Sequence, residues 1–328
     1  EDGGGLSLLG FVGLYDAPRS EAVRAIEESQ EAGIRIVMVT GDNPVTAKAI
    51  AEEVGLIVEG ELVLTHDEID NMSDEELVEV LPKVRIFARM APQDKLRLVR
   101  LYKKTGNVVA VTGDGVNDAL ALSEAHVGVA MGGKGTDVAR ESADIVITDD
   151  NLYTIVKAIE EGRGIYDNIV KVIIFLLATN LTEFFLIFFS VLAGLPIPLN
   201  PTQILWVNLV SDGAPAMALA TDIKRRNLLK KPPRDITEQI LNRRRTLNIA
   251  LIAFIFSLLL MMVYYFSLSV DGFSRLLIFN LLVIGEMIII FVIRGGIFPL
   301  SRFMILSVVL TLLFQILIST VPELRSLF

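Results

Sequence analysis

The chain has no cysteine and only two histidines, His66 and His126, in 328 residues. Without thiols there are neither disulfides nor thiolate metal sites, and two histidines are too few for a histidine metal centre. The N-terminus, EDGGGLSLLG, has no Met and none of the charged and apolar zones of a signal peptide. It reads as a chain entered partway through. Basic residues are scarce in the first half: residues 1–165 hold 16 Lys+Arg against 30 Asp+Glu, a net of −14. That acidity excludes a nucleic-acid surface. Lys and Arg are also missing from the middle of every long apolar run in the second half, residues 166–328, where 14 basic and 9 acidic residues give a net of +5.

Apolar residues are plentiful: 52% of the chain is hydrophobic, with a mean hydropathy of +0.55. An acidic front half and an apolar back half point to a soluble domain followed by a membrane domain, divided near residues 165 and 166. A membrane helix needs about 20 mostly apolar residues. Five runs qualify, near 169–195, 199–220, 247–268, 276–293 and 303–321. The connection 222–245 carries Lys224, Arg225, Arg226, Lys230, Lys231, Arg234 and Arg243 to Arg245, which sets it on the cytosolic side. GLPIPLNP is uncharged and SVDGFSR nearly so, which sets both outside, and RGGIFPLSR, with Arg294 and Arg302, is inside. This alternation places residues 1–165 in the cytosol and makes the whole a multi-pass protein of the cell membrane. Five spans ending at Phe328 imply a further helix beyond the last one.

The front half alternates strands and helices. LSLLGFVGL, IRIVMVT, VRIFA, NVVAVT, VGVAM and ADIVIT read as strands. SEAVRAIEESQEAG reads as a helix with Ser20 as N-cap and Gly33 as its stop. PVTAKAIAEEVG is a helix, and PQDKLRLVRLYKKTG another, with Pro92 at its start and Gly106 at its end. The acidic run 66–81 reads as a solvated helix capped by Ser73, with Glu76 completing a capping box. The alternation predicts a parallel sheet covered on both faces, with ligands at the carboxyl ends of its strands.

Two strands run into the same tripeptide, Thr40-Gly41-Asp42 and Thr112-Gly113-Asp114. In TGDGVNDALAL, Asp114, Asn117 and Asp118 crowd a glycine-rich turn that opens a helix. Such a turn admits a phosphate closely and a helix N-terminus favours anions. Carboxylates there repel a phosphate unless a metal lies between, and Mg²⁺ typically takes one or two carboxylates plus substrate phosphates. Lys95 is placed to reach a phosphoryl oxygen from the next helix. A capped helix with ordinary turn residues explains one Asp but not the whole set.

In the back half, Asn180 and Glu183 sit three apart in ATNLTEFF, and Asn208, Ser211 and Asp212 share one helix face in LWVNLVSDGAPAMALA. Glu286 lies in LVIGEMIII. A charge at mid-membrane costs roughly 2.5–3.5 kcal/mol on insertion scales. With no internal basic partner, a bound metal ion or protons must neutralise these acids. Calcium takes 6–8 oxygen ligands, and Gly213 and Pro215 interrupt the second span and free backbone groups beside the site. A lone Asn or Ser in a membrane helix is ordinarily interhelical glue.

MVTGDNPVTAKAIAEEVG, FARMAPQDKLRLV and VVAVTGDGVNDALALSEAHVGVAMG resemble the phosphorylation domain of P-type ATPases, and the membrane half is similar to the type II cation pumps of the sarcoplasmic-reticulum calcium kind. The resemblance covers essentially the whole chain. It implies an α/β haloacid-dehalogenase-like (Rossmann-like) cytosolic domain followed by an α-helical transmembrane bundle. It implies that Asp114 is a Mg²⁺ ligand supported by Asn117 and Asp118, and that Lys95 neutralises the transferred phosphoryl group. Thr40 and Gly41 then contact its oxygens, and Asp42 belongs to the nucleotide-side loop. Arg89, with Thr40, Gly41, Asp42 and Lys95, falls among the residues that bind ATP. Asp16 and Arg19 match the family's hinge, with Ala17 in place of a Pro. In the membrane, Asn180, Glu183, Ser211, Asp212 and Glu286 match ligands of one transported ion, and Asn208 and Asp212 ligands of another. Keeping both Glu183 and Glu286 favours calcium, with proton countertransport through the same acids.

The family's nucleophile motif, Asp-Lys-Thr-Gly-Thr, is absent, as are a Thr-Gly-Glu loop and a nucleotide-binding domain. The resemblance therefore implies the C-terminal part of a pump, partnered by the N-terminal part of the same protein, by the lipid bilayer and by the cation, and inactive by itself. Pumps for Na⁺, H⁺ or Mn²⁺, a tethered phosphatase and a non-catalytic ion-binding relative stay open as alternatives. RRNLLKKPPR reads as a membrane-surface loop or, more sharply, as a docking loop for the soluble domain. The stretch TDDNLYTIVKAIEEGRGIYDNIVKVIIF reads as one rod entering the first span, with Gly162 and Gly164 its weak points.

Overall fold

Short β-branched runs in the first half and long apolar helical runs in the second dictate two different kinds of core. The computed structural model describes residues 9–10, 17–57, 60–223, 227–268 and 274–328. The chain folds as two units, Glu1–Ile159 with Leu229–Ile236, and Glu160–Leu228 with Thr237–Phe328.

The first unit runs α1 (Ser20–Glu31), β1 (Met38–Val39), α2 (Pro44–Glu53), β2 (Leu62–Thr65), α3 (His66–Asp70), α4 (Asp74–Val80), β3 (Val84–Ala88), α5 (Pro92–Lys104), β4 (Ala110–Gly113), α6 (Ala119–Glu124), β5 (Val127–Met131), α7 (Asp137–Glu141) and β6 (Ile145–Ile147). All strand pairs are parallel, as helical crossovers require. The described strands form two three-stranded sheets, β1–β3–β2 and β4–β5–β6, where the sequence predicts one. Of IRIVMVT only Met38 and Val39 pair, against Ile86 and Phe87, before the chain leaves the ladder at Thr40. The predicted strand LSLLGFVGL lies, apart from Leu9 and Gly10, outside the described residues. β3 is buried on both faces. Phe87 packs with Ile69, Leu77, Leu98 and Leu101, and Ile86 and Ala88 pack with Ile26, Ala47 and Ala51.

The acidic run 66–81 is not one solvated helix. It breaks at Asn71–Ser73 into α3 and α4, because Ile69 and Leu77 turn inward and are fully buried. The predicted capping box is present: Glu76 N donates to Ser73 Oγ (3.2 Å) and Ser73 N to the Glu76 carboxylate (2.8 Å). Ser20, by contrast, is not a cap. Arg19 holds the N-cap position with no side-chain bond, and Ser20 Oγ donates to Glu21 instead (3.1 Å). Gly33 stops α1 in the left-handed region, φ +71°. Pro232 and Pro233 of the segment Leu229–Ile236 press on it, with Pro233 Cδ 3.0 Å from where a Cβ would stand. That packing fits the docking-loop reading of KKPPR.

In the second unit, α8 (Leu152–Leu192, which begins in the first unit) is unbroken through Gly162 and Gly164. There follow α9 (Pro201–Trp206), α10 (Gly213–Ala220), α11 (Arg243–Ser267), α12 (Ser274–Arg294), α13 (Arg302–Thr320) and α14 (Pro322–Arg325). Among the described residues four helices, α8, α11, α12 and α13, are long and apolar enough to cross a membrane, against five predicted spans. The predicted run 199–220 is the difference. It is divided into α9, a π-helical turn at Val207–Ser211, and α10. Pro215 has no N–H to give the Ser211 carbonyl, and Asp212 N reaches back five residues to Val207 O (2.8 Å). Leu186, Val207, Leu260, Phe279 and Leu282 form one apolar core, and Phe175, Leu219, Ile290 and Met304 another. Trp206 packs edge-on against Phe314 and Phe328, an interhelical role.

Two predictions follow from these contacts. Gly33→Ala forces a side chain into a left-handed position that costs roughly 1–2 kcal/mol, and it crowds Pro232. Urea unfolding should shift by that amount, and limited proteolysis of the 227–242 loop should quicken. An unchanged cleavage rate would remove the docking contact. The second concerns His66, whose Nδ1 lies 2.8 Å from Asp94 Oδ2. This hydrogen bond and the Asp94 charge raise the imidazole pKa above 6.5, against partial burial and with help from Asp70 and Asp67. A raised folded pKa means stabilisation that is full below pH 6.5 and fades as pH rises through the raised value. The melting-temperature gap between wild type and His66→Gln should be widest near pH 5.5 and closed by pH 9. A gap that widens with pH would contradict the pairing.

Candidate functional site

The loops at the carboxyl ends of the strands are fixed by their own short-range bonds. After β1, Asp42 N donates to Thr40 Oγ1 (3.1 Å), which curls Thr40-Gly41-Asp42 into a turn. After β3, Met90 N donates to Thr40 O (2.9 Å) and Arg89 N to Asp42 O (3.0 Å), so the two loops are zipped together. Arg89 takes φ 56°, unusual for a residue with a Cβ, and the flanking bonds hold it there. Asp94 caps the helix that follows, accepting from Ala91 N (2.7 Å) on the oxygen that also meets His66.

After β4, the TGDGVND loop enters a 3₁₀ turn, Val116–Asp118, before α6. Asp118 is its hub. Its carboxylate accepts from Gly115 N (3.2 Å) and from Lys95 Nζ (2.6 Å), and the ion pair is largely shielded, with side chains 17% and 15% exposed. Gly113 must be glycine here, because a Cβ would stand 2.5 Å from Asp118 Cβ. Asp114 and Asn117 are exposed, and the Asp114 carbonyl accepts from Thr136 N (2.9 Å) in the loop after β5. The segment from Ala88 to Lys95 links the two sets: Met90 bonds Thr40 at one end, and Lys95 bonds Asp118 at the other. Thr40, Gly41, Asp42 and Arg89 thus stand together, as do Lys95, Gly113 and Asp118. The result is a strand-end surface with exposed carboxylates at Asp42 and Asp114 and one shielded ammonium.

The membrane residues are arranged around the broken helix. Glu183 on α8, Ser211 at the end of the π turn, Asp212 just after it, and Glu286 on α12 are all buried, with Ser211 and Glu286 fully so. Asn208 Nδ2 donates to Glu183 Oε2 (3.0 Å). Asp212 Oδ2 accepts from Thr179 Oγ1 (2.7 Å). Among the described residues, Glu183 Oε1, Ser211 Oγ, Asp212 Oδ1 and both Glu286 oxygens are buried with no hydrogen-bond partner. No three acids or histidines among the described residues converge closely enough to hold a metal as they stand.

Asn180 is not brought into this group. It is exposed, and its Nδ2 donates to Leu176 O one turn back (2.7 Å). Positions 175, 178, 179, 182, 183, 186 and 190 form the buried stripe of α8, and Asn180 falls beside it. Thr179 is the residue that sequence reasoning missed. Its signal was the i,i+4 spacing to Glu183, which puts both on one face.

Residues 196–328 match the family described as cation transporting ATPase, C-terminus, and residues 4–126 match haloacid dehalogenase-like hydrolase. A calcium-transporting ATPase of Bacillus subtilis is 40% identical over 98% of this chain and 37% of its own length. Calcium-transporting ATPase 1 of Bacillus cereus is 47% identical over 72% of the chain and 26% of its own length. The human calcium-transporting ATPase type 2C member 1 is 43% identical over 75% of the chain and 27% of its own length. The chain thus spans between about a quarter and just over a third of these relatives. The membrane-capable helices and these likenesses make it a multi-pass membrane protein with a soluble segment. Matched in its soluble half, in its membrane half and nearly end to end, the chain belongs to the P-type cation-transporting ATPases.

Proposed function

We propose that this chain carries phosphate-handling loops and cation ligands of an ATP-driven pump that exports Ca²⁺ from the cytosol through an aspartyl-phosphate cycle. The observation that carries the reading is the set of buried, unpartnered oxygens on Glu183, Ser211, Asp212 and Glu286. Buried charges without partners cost several kcal/mol each, so a chain that keeps three of them needs a neutralising ligand. Hard oxygen donors suit a hard cation, and Ca²⁺ tolerates an irregular set. The relatives' names, all calcium-transporting, support the same cargo. The acids do not yet converge in this arrangement, so cation binding draws α8, α10 and α12 together. Asn208 and Asp212 serve a second ion, and Asn180 joins the first after turning inward. Residues 201–220 make the fifth crossing, about 30 Å long at 1.5 Å per residue.

In the soluble unit, Thr40 and Gly41 bind phosphoryl oxygens, and Asp42 and Arg89 face the nucleotide. Asp114 fits a Mg²⁺ ligand, being an exposed carboxylate whose backbone is anchored by Thr136. Asn117 and Asp118 support it. Bound Mg²⁺ offsets the charge between carboxylate and phosphate. Lys95, held by Asp118, is aimed by that bond and neutralises phosphoryl charge. Phosphoryl transfer rests on such positioning and electrostatics. When the cation leaves, protons take its place on Glu183 and Glu286, and countertransport follows.

⁴⁵Ca²⁺ binding to the protein in lipid nanodiscs tests this reading. Wild type should bind at micromolar calcium, and Glu183→Gln, Asp212→Asn and Glu286→Gln should each weaken binding by at least about tenfold, or 1.4 kcal/mol. If protons compete for the same acids, affinity should rise from pH 6 to pH 8. Wild-type binding that survives all three substitutions would contradict the site, and an affinity flat across that range would contradict countertransport.

A further inference from the structure

The helices that carry the buried carboxylates also meet at one end of the bundle. Asp222 follows α10 by two residues, and Arg294 is the last residue of α12. The two form a bidentate pair, Nε to Oδ2 at 2.5 Å and Nη2 to Oδ1 at 3.3 Å. The side chain of Arg294 is only 7% exposed and that of Asp222 1%. The other Arg294 donors go to backbone carbonyls of the turn that follows, Gly296 (2.9 Å), Ile297 (3.1 Å) and Pro299. From α8, Asn168 Nδ2 donates to Asp222 O (2.9 Å) and Ala220 O (3.4 Å). Its Oδ1 accepts from Lys171 Nζ (3.0 Å), and both Asn168 and Lys171 are buried. One cluster therefore ties the end of α10, the end of α12 and the flank of α8.

Each tie lies close along the chain to a cation-site acid: on one helix for α8 and α12, and across α10 for Asp212 and Asp222. Asn168 shares α8 with Glu183, Asp222 trails Asp212 by ten residues, and Arg294 trails Glu286 by eight. On a helix those intervals are about 22, 15 and 12 Å. A planar guanidinium fork on a carboxylate fixes rotation as well as distance. Stability alone is a poor reason to bury such a pair, because well-packed apolar replacements are often neutral. Registration of elements is the best-attested use of buried ion pairs.

We infer that Asp222, Arg294 and Asn168 form a registration knot that sets the height and rotation of α8, α10 and α12, and so positions Glu183, Asp212 and Glu286 for the cation. The inference rests on the cation-site reading above. The three are positioning residues and touch no cation themselves. α10 is short, and its backbone ties it to the π turn only at its start, through Asp212 N to Val207 O (2.8 Å) and Ala216 N to Asp212 O (2.9 Å). The knot adds a constraint from the far end.

The absence of cysteine gives a clean test. Spin labels on Met217→Cys in α10 and Ile288→Cys in α12, both exposed positions, report the distance between the helices. In the otherwise wild-type protein the distribution should be narrow. In Asp222→Leu with Arg294→Met, which removes the pair without leaving a lone charge, it should broaden or shift while the melting temperature holds. ⁴⁵Ca²⁺ affinity should fall about 10–100-fold, as for lost outer supports of metal ligands. Arg294→Lys, which keeps the charge and loses the fork, should lie between. If the double variant does not fold, Arg294→Lys and Asn168→Ala carry the same comparison. An unchanged distance distribution and affinity in a folded variant would overturn the knot. A wild type that binds no calcium would overturn the cation-site reading instead, and the spin-label distances would still judge the knot.

Discussion

Three carboxylates lie inside an apolar helical bundle with no basic side chain among the described residues bonded to any of them, and the arrangement around them follows from that. A low-dielectric surround makes each uncompensated charge costly. The protein offsets part of the cost with neutral donors: Thr179 serves one oxygen of Asp212, and Asn208 serves one of Glu183. Among the described residues Glu286 has no such donor on either oxygen. Under the proposed function the remaining demand falls on a transported cation. The π turn at Val207–Ser211 and Pro215 belong to the same economy, since a regular helix would keep its carbonyls to itself.

Under the proposed function the soluble unit meets a related problem with the opposite sign: a phosphate is to be held among carboxylates, at strand ends that carry one shielded Lys and an exposed Asp114. The ion pair with Asp118 fixes the position of the Lys95 ammonium. Arg89, in its left-handed conformation, is locked by bonds to Thr40 and Asp42 on the neighbouring loop. Local strain of this kind gathers where geometry has to be held for chemistry.

Much of this is legible in residue order. Strands ending in Thr-Gly-Asp, the helix from Pro92 and the capping box of Ser73 are local features, set by neighbours within a few positions. What failed was set elsewhere. Ser20 resembles a cap, but Arg19 takes that place. The interruption of run 199–220 near Gly213 and Pro215 is legible, but the π turn at Val207–Ser211 that precedes them is not, and the divided run is not among the four helices long and apolar enough to span. An ordinary helical wheel puts Asn180 with Glu183, while the buried stripe of α8 passes beside it. The contacts of His66 with Asp94, Thr179 with Asp212, and Asp222 with Arg294 span 28, 33 and 72 positions. No periodicity encodes pairs so distant. The charges of Asp222 and Arg294 read as loop charges, although they are among the most buried in the bundle.

The account stands on a cation bound among α8, the turn before α10, and α12. Locating it directly is the decisive measurement: anomalous diffraction from crystals grown in lipid with Sr²⁺ in place of Ca²⁺. The account predicts an anomalous peak within coordination distance of Glu183, Asp212 and Glu286, with Ser211 beside it. A bundle that shows these acids bonded to one another or to water, with no peak between them at saturating cation, would contradict it.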